Sequence, residues 1–118
     1  MRVIGGSLKG RRLAAVRSSR VRPTTDKVRE AIFAIMTSCL NGGTVLDLFA
    51  GTGSLGIEAV SRGMDRVVFI ENDSQALLIL KKNIHQCDPD EQAEIISLPV
   101  SRGLRLLVQR RESFHLIF

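Results

Sequence analysis

From residue 44 onward, short apolar runs alternate with stretches of helical periodicity. Thr44–Leu48, Arg66–Glu71, Ala93–Leu98 and Phe114–Phe118 read as strands, with middles near Leu46, Ile70, Ile96 and Leu116, spaced 24, 26 and 20 residues apart. That spacing suits βα units winding a parallel sheet. Between the strands, Ser54–Arg62 reads as a helix closed by Gly63, and Ser101–Arg110 as a shorter one. A third helix runs from a cap at Asp73 or Ser74 to about Gln86, with Ala76, Leu77, Leu80 and Ile84 on one face. Upstream, Val28, Ala31, Ile32, Ile35, Met36, Cys39 and Leu40 form an i, i+3, i+4, i+7 stripe and predict an amphipathic helix. Pro23, a capping Thr and Asp26 start it, and Asn41-Gly42-Gly43 stops it. Val3–Ile4, Gly5–Gly6, Leu8, Leu13 and Val16 predict a β-hairpin around glycine turns.

The 118 residues are enough for one small domain with a modest core. The last apolar strand, Phe114–Phe118, has no helix after it. A parallel sheet needs both faces covered and its edges protected, so the expectation is that these residues are a piece of a longer domain. No apolar run approaches the ~20 residues of a membrane helix, and Met1–Gly10 lacks the apolar stretch of a secretory signal. Cys39 and Cys87 have no metal-ligand spacing and are expected to be small buried hydrophobes in a reducing compartment. The reading is a cytoplasmic protein with no metal and no membrane.

Charge divides the chain. Of 17 Lys and Arg, nine fall in residues 1–29, against one acid there, Asp26, while the net charge of the whole is +5. Residues 1–22 are therefore expected to form a basic arm for nucleic acid or an anionic surface, gripping phosphates through Arg2, Lys9, Arg11, Arg12 and Arg22. The arm has no aromatic residue, so base stacking is not expected of it. The pairs Lys81–Lys82 and Arg110–Arg111 read as solvated helix faces.

Candidate chemistry lies where the first strand meets its helix. Gly51-Thr52-Gly53-Ser54-Leu55-Gly56 matches the G-x-G-x-x-G turn of nucleotide-binding folds. Asp47 precedes it at the end of the strand. A carboxylate there would repel a pyrophosphate seated on the helix N-terminus, but would attract a cationic ligand. S-adenosylmethionine, with an ammonium and a sulfonium, is such a ligand. Glu71 ends the second strand, where an acid can accept hydrogen bonds from both hydroxyls of a ribose, whichever adenosine cofactor carries it.

Asp47-Leu48-Phe49-Ala50-Gly51-Thr52-Gly53-Ser54-Leu55-Gly56 resembles the cofactor motif of Class I S-adenosylmethionine-dependent methyltransferases. Met1–Leu13 and Arg22–Phe33 narrow the likeness to the bacterial 16S ribosomal RNA guanine-N2 methyltransferase family. The resemblance implies methyl transfer from S-adenosyl-L-methionine to the exocyclic amine of a guanine in small-subunit ribosomal RNA or its assembly intermediate. It implies that the partner of the basic arm is RNA. It implies that Thr24 lies near the methionine end of the cofactor, and the candidate cofactor residues are Thr24, Asp47, Phe49, Gly51, Thr52, Gly53, Glu71 and Asn72. The expected fold is a three-layer, Rossmann-like α/β domain over residues 23–118, with strand order 3-2-1-4. The N-terminal hairpin and helix precede the sheet, and the ligand cleft falls at the C-terminal end of the first strand.

Two departures from the family accompany the likeness. Pro99 stands where the family has a polar residue contacting adenine, and proline offers neither an N–H nor a polar side chain. The Asn/Asp-Pro-Pro-aromatic motif that holds the target amine and stacks on the extruded base is not within the sequence, and is expected after Phe118. No catalytic residue is therefore assigned, and these 118 residues alone are expected to be inactive. His85 and His115 are not assigned a role, since methyl transfer needs little beyond a positioned lone pair and a sulfonium donor. A non-catalytic RNA-binding module and an NAD-dependent oxidoreductase fragment are the alternatives, the latter opposed by Asp47.

Overall fold

Four strands, β1 (Thr44–Asp47), β2 (Arg66–Ile70), β3 (Ala93–Ile96) and β4 (Leu116–Ile117), form a parallel sheet in the order β3-β2-β1-β4. The computed structural model describes residues 1–16, 24–88 and 91–118. In register, Val45 lies beside Val67 and Leu46 beside Ile117. The expected fold and strand order are those observed. The helices are α1 (Asp26–Ile35), α2 (Ser54–Ser61), α3 (Ser74–Cys87) and α4 (Val100–Gln109).

Alternation along the strands builds three layers. Val45, Val67 and Phe69 share one core with Ile57 of α2 and with Leu80, Ile84 and Cys87 of α3. Leu46, Val68, Ile70 and Ile96 share the other with Leu107 of α4. Gly56 lets α2 settle on β2, because a Cβ there would lie 2.4 Å from the Phe69 ring. Along the β3 side, Arg66 pairs with Glu94 and Glu112 at 2.6 and 3.2 Å, and Arg110 pairs with Glu94 at 2.7 Å. Arg110 is thus engaged rather than freely solvated.

The N-terminal segment packs against the body of the domain. Val3 and Leu13 are buried in the same core as the sheet. The hairpin closes through one antiparallel bridge, Arg2 to Arg12, rather than through extended strands. Its backbone is fixed by polar side chains of the helices. The Glu58 carboxylate accepts from the N–H groups of Ile4 and Gly5 at 2.8 and 3.0 Å, and Ser61 Oγ accepts from Leu8 N–H at 2.9 Å. Asn83 exchanges two hydrogen bonds with the Ala14 backbone. Arg22 and Pro23 lie outside the described residues.

The first helix is also rotated from its expected orientation. Thr25 caps it, its hydroxyl accepting from Val28 N–H. The face turned inward carries Arg29 and Phe33; of the predicted stripe, Ile32, Met36 and Leu40 pack on the core, while Val28, Ala31 and Ile35 face solvent. Arg29 sets the rotation: its guanidinium bonds Asp26 and the Arg2 carbonyl, and its Nε lies 3.4 Å from buried Glu58. Four residues on, Phe33 packs against the Phe118 ring at 5.6 Å and under the Arg62 guanidinium at 5.3 Å. The helix ends at Ile35 and a 3-10 turn follows at Thr37–Cys39, where the Thr37 hydroxyl donates to the carbonyls of Phe33 and Ala34. Cys39 in that turn is exposed, contrary to expectation, because the rotated helix carries it outward; Cys87 is buried.

The Glu58 cluster yields a stability prediction. Glu58→Ala leaves buried Arg29 with Asp26 as its one carboxylate and strands two backbone donors, and is expected to lower the unfolding free energy by about 3–5 kcal/mol. Adding Arg29→Leu should restore part of that loss. Urea unfolding of the single and double variants measures both, and equal stability of Glu58→Ala and the parent would refute the role given to the pair.

Candidate functional site

The glycine turn lies where strand order reverses, between β1 and β4, at the C-terminal ends of the strands. Its backbone follows from two acids. α2 begins after Gly53, which takes φ +82° and whose Cβ would fall 2.4 Å from Leu80 Cδ1, so glycine is required. Glycine offers no capping side chain, and Asp47 supplies the acceptor from across the turn, receiving Gly56 N–H at 3.0 Å. The second acid, Glu71, braces the other side. Its Oε1 accepts Gly51 N–H at 2.7 Å, and its Oε2 accepts the N–H groups of Asn72 and Asp73, each at 2.9 Å. Three of roughly four lone-pair sites are thereby used, leaving one for a ligand hydroxyl.

A third clamp holds the turn from behind. Fully buried Asn83 donates to the Thr52 carbonyl at 2.9 Å and to the Ala14 carbonyl at 3.0 Å, tying the turn to the N-terminal segment. Phe49 sits above with φ +51°, a costly conformation for a bulky residue, and the residue is 78% exposed.

These elements enclose a cleft of about 360 Å³. Thr24, Asp47, Phe49, Gly51, Thr52 and Glu71 line it, as expected. Gly53 lies behind the wall as the helix cap, and Asn72 is exposed outside the lining. Val16, Leu55, Ala76 and Phe118 also line it, and the sequence reading missed them because each is an ordinary apolar residue brought there by tertiary packing. Pro99 caps α4 and is not part of the lining, and neither histidine reaches it. His115 instead accepts Thr44 N–H on Nδ1 at 3.0 Å, anchoring the start of β1.

Electrostatics select the ligand. Asp47, Glu71 and Asp73 line the cleft, and among the described residues no Lys or Arg does. Burial raises the Asp47 carboxyl to about 7; the Gly56 N–H opposes that shift, and the Glu71 charge adds to it. A cation entering the cleft would restore the ionised form, whereas a diphosphate would meet three acids and no base.

Sheet order, the glycine turn at the switch point and the acids that end β1 and follow β2 define a Rossmann-like methyltransferase fold. The chain belongs to the family described as Conserved hypothetical protein 95, which matches residues 1–118. It is 43% identical over 118 residues to the putative rRNA methyltransferase YlbH of Bacillus subtilis, covering all of this chain and 64% of that protein. It is 34% identical to the Ribosomal RNA small subunit methyltransferase D of Escherichia coli, covering 100% of this chain and 58% of that enzyme. Among solved structures, a hypothetical protein of Thermus thermophilus superimposes with a TM-score of 0.87 at 32% identity, over 100% of this chain and 67% of that one. The chain thus spans about three-fifths of the curated relatives named here.

Asp47 gives the unliganded protein a defined pH response. Its carboxyl is protonated in both states below about pH 4, and only in the folded state between there and about 7. The native state therefore holds the extra proton, and this group's contribution to stability falls as pH rises through that window. Asp47→Asn keeps the acceptor and removes the charge. Relative to the parent, it should gain stability between pH 5 and pH 8 in urea unfolding, and a constant difference across that range would refute the assignment.

Proposed function

We propose that these residues form the S-adenosyl-L-methionine-binding part of an enzyme that methylates the exocyclic N2 amine of a guanine in 16S, small-subunit ribosomal RNA. The observation that carries this reading is the cleft at the glycine turn, whose charged lining among the described residues is Asp47, Glu71 and Asp73, acids alone. Such a site favours a donor with an ammonium and a sulfonium over a dinucleotide. The Escherichia coli relative's name supports a small-subunit RNA substrate. The N2 position rests on the likeness of Met1–Leu13 and Arg22–Phe33 to the guanine-N2 family.

Residues are assigned by position. Asp47 attracts the cationic methionine end, and Thr24 lines the same cleft. Glu71 takes a ribose hydroxyl on its remaining lone pair while bracing Gly51. Phe49, Gly51 and Thr52 line the cleft, and Gly53 supports the turn from behind as the cap of α2. The protein's chemical task is alignment, since a bound donor supplies the activated methyl and the guanine amine supplies the electron pair. Arg2, Lys9, Arg11 and Arg12 are all exposed and are proposed to meet RNA phosphate, in a cytoplasmic setting. Arg11 does so from a fixed position, donating to the Gln86 carbonyl at the end of α3 at 3.0 Å.

Calorimetry should show S-adenosylmethionine binding and no NAD binding. Asp47→Asn and Glu71→Ala should each weaken that binding about ten- to a hundredfold, the loss of a charge-assisted contact. Undiminished affinity in both variants would remove the cleft from consideration. Labelled methyl transfer by the full-length protein to small-subunit RNA, digested to nucleosides, should yield N2-methylguanosine. Label in any other nucleoside would overturn the substrate assignment.

A further inference from the structure

Beside the cofactor cleft lies a second depression, on the outer face of α3. This groove, about 610 Å³, has Ala14, Ala15 and Val16 on one wall and Gln75, Leu78, Ile79 and Lys82 on the other. Val16 lines both spaces, so the groove and the cleft are neighbours. Its orientation follows from α3. The helix's N-terminal end, with Asp73 and Ala76, borders the cleft, while its C-terminal end receives Arg11 from the basic hairpin at Gln86. The groove's wall on α3, from Gln75 to Lys82, spans about 10 Å of helix between those two ends.

The chemistry of its walls is uneven in a useful way. Leu78 is 70% exposed, an apolar surface with no cover among the described residues. Lys81 and Lys82 stand three and four positions beyond it, on neighbouring places of the helix surface. Residues 1–16 hold four bases and no acid, and α3 holds no acid between its caps Asp73 and Asp88. Among the described residues, Lys9, Arg12, Lys81 and Lys82 form no ion pair. On the far side of the molecule, Arg66 and Arg110 are neutralised by Glu94 and Glu112.

We propose that this groove is a subsite for unpaired RNA flanking the target guanine. A base lies on Leu78 and Ile79 with Gln75 at its edge, and Lys81 and Lys82 take the adjoining phosphates. A nucleotide matches both surfaces at once, an apolar face for the floor and an anion for the rim. The groove adjoins the cleft at Val16, so RNA flanking a guanine held at the methyl donor is within reach of this place. The inference deepens the RNA-directed reading above and rests on it.

The test uses the full-length protein and a fluorescent, unpaired small-subunit RNA segment, with affinity read by anisotropy across a salt series. Replacing Lys81 and Lys82 together by Ala should weaken binding about tenfold near 0.1 M salt and make the log–log salt slope shallower by about 1. Leu78→Asp should weaken binding to a similar degree. Both variants should keep the parent's affinity for S-adenosylmethionine, which reports that fold and cleft are intact. Val108→Asp, at an exposed apolar position on α4, should bind RNA as the parent does. If the parent protein binds no RNA, the RNA reading itself fails. If the parent binds RNA and both groove variants match it in affinity and slope, the subsite is wrong while that reading stands, and the groove belongs to a peptide partner instead.

Discussion

The carboxylate of Glu58 is the point on which the N-terminal third of the molecule turns. It is fully buried in α2, and it accepts from Ile4, Gly5 and Arg62 while Arg29 approaches from α1. A buried carboxylate without such partners would cost several kcal/mol, so the segment 1–16 and α1 are bound to fixed places around it. Everything outward follows. The hairpin lies on the body with its basic side chains displayed, α1 rotates to bring Arg29 inward, and Phe33 is carried onto Phe118 beside the sheet. Val16 and Thr24, at either side of the segment from 17 to 23, both line the cleft.

The cleft uses the same physics at its other end. A turn that needs glycine for its path cannot cap its own helix, and Asp47 and Glu71 supply the missing acceptors from β1 and from the end of β2. Acids chosen to hold backbone N–H groups also make the cavity negative. Structural bracing and ligand selection are therefore one arrangement: the charge that a cationic donor would seek is held in place by the loop that it would touch. Asn83 extends the bracing to the N-terminal segment, so both walls of the cleft share one buried amide.

Where period and turn chemistry decide, sequence and structure agree. The spacing of Leu46, Ile70, Ile96 and Leu116 leads to the parallel sheet, Asp73 caps α3 as its position implies, and Asp47 and Glu71 arrive together at the glycine turn. Where long-range polar partners decide, the pattern misleads. Of the stripe from Val28 to Leu40, Ile32, Met36 and Leu40 pack on the core, but Val28, Ala31 and Ile35 point to solvent, because the helix is turned to bring Arg29 to buried Glu58. Neither residue carries a local signal; Glu58 reads as one more polar position on a short helix. Charge density marks the N-terminal segment as basic but carries no sign of where it docks, which the side-chain acceptors on α2 and α3 decide. The groove beside α3 is illegible in the sequence for a simpler reason: Ala14–Val16 and Leu78 meet only in three dimensions.

Backbone amide mapping of the donor site tests the central claim most directly. In a two-dimensional nitrogen–proton NMR titration with S-adenosylmethionine, the largest shifts should fall on amides of residues 47–56 and 71–73, including Gly51 and Gly56, whose protons are held by Glu71 and Asp47. Amides of α4 and of the β3 edge should stay in place. Shifts confined to α4 or the hairpin, with the glycine turn unmoved at saturating ligand, would contradict the account.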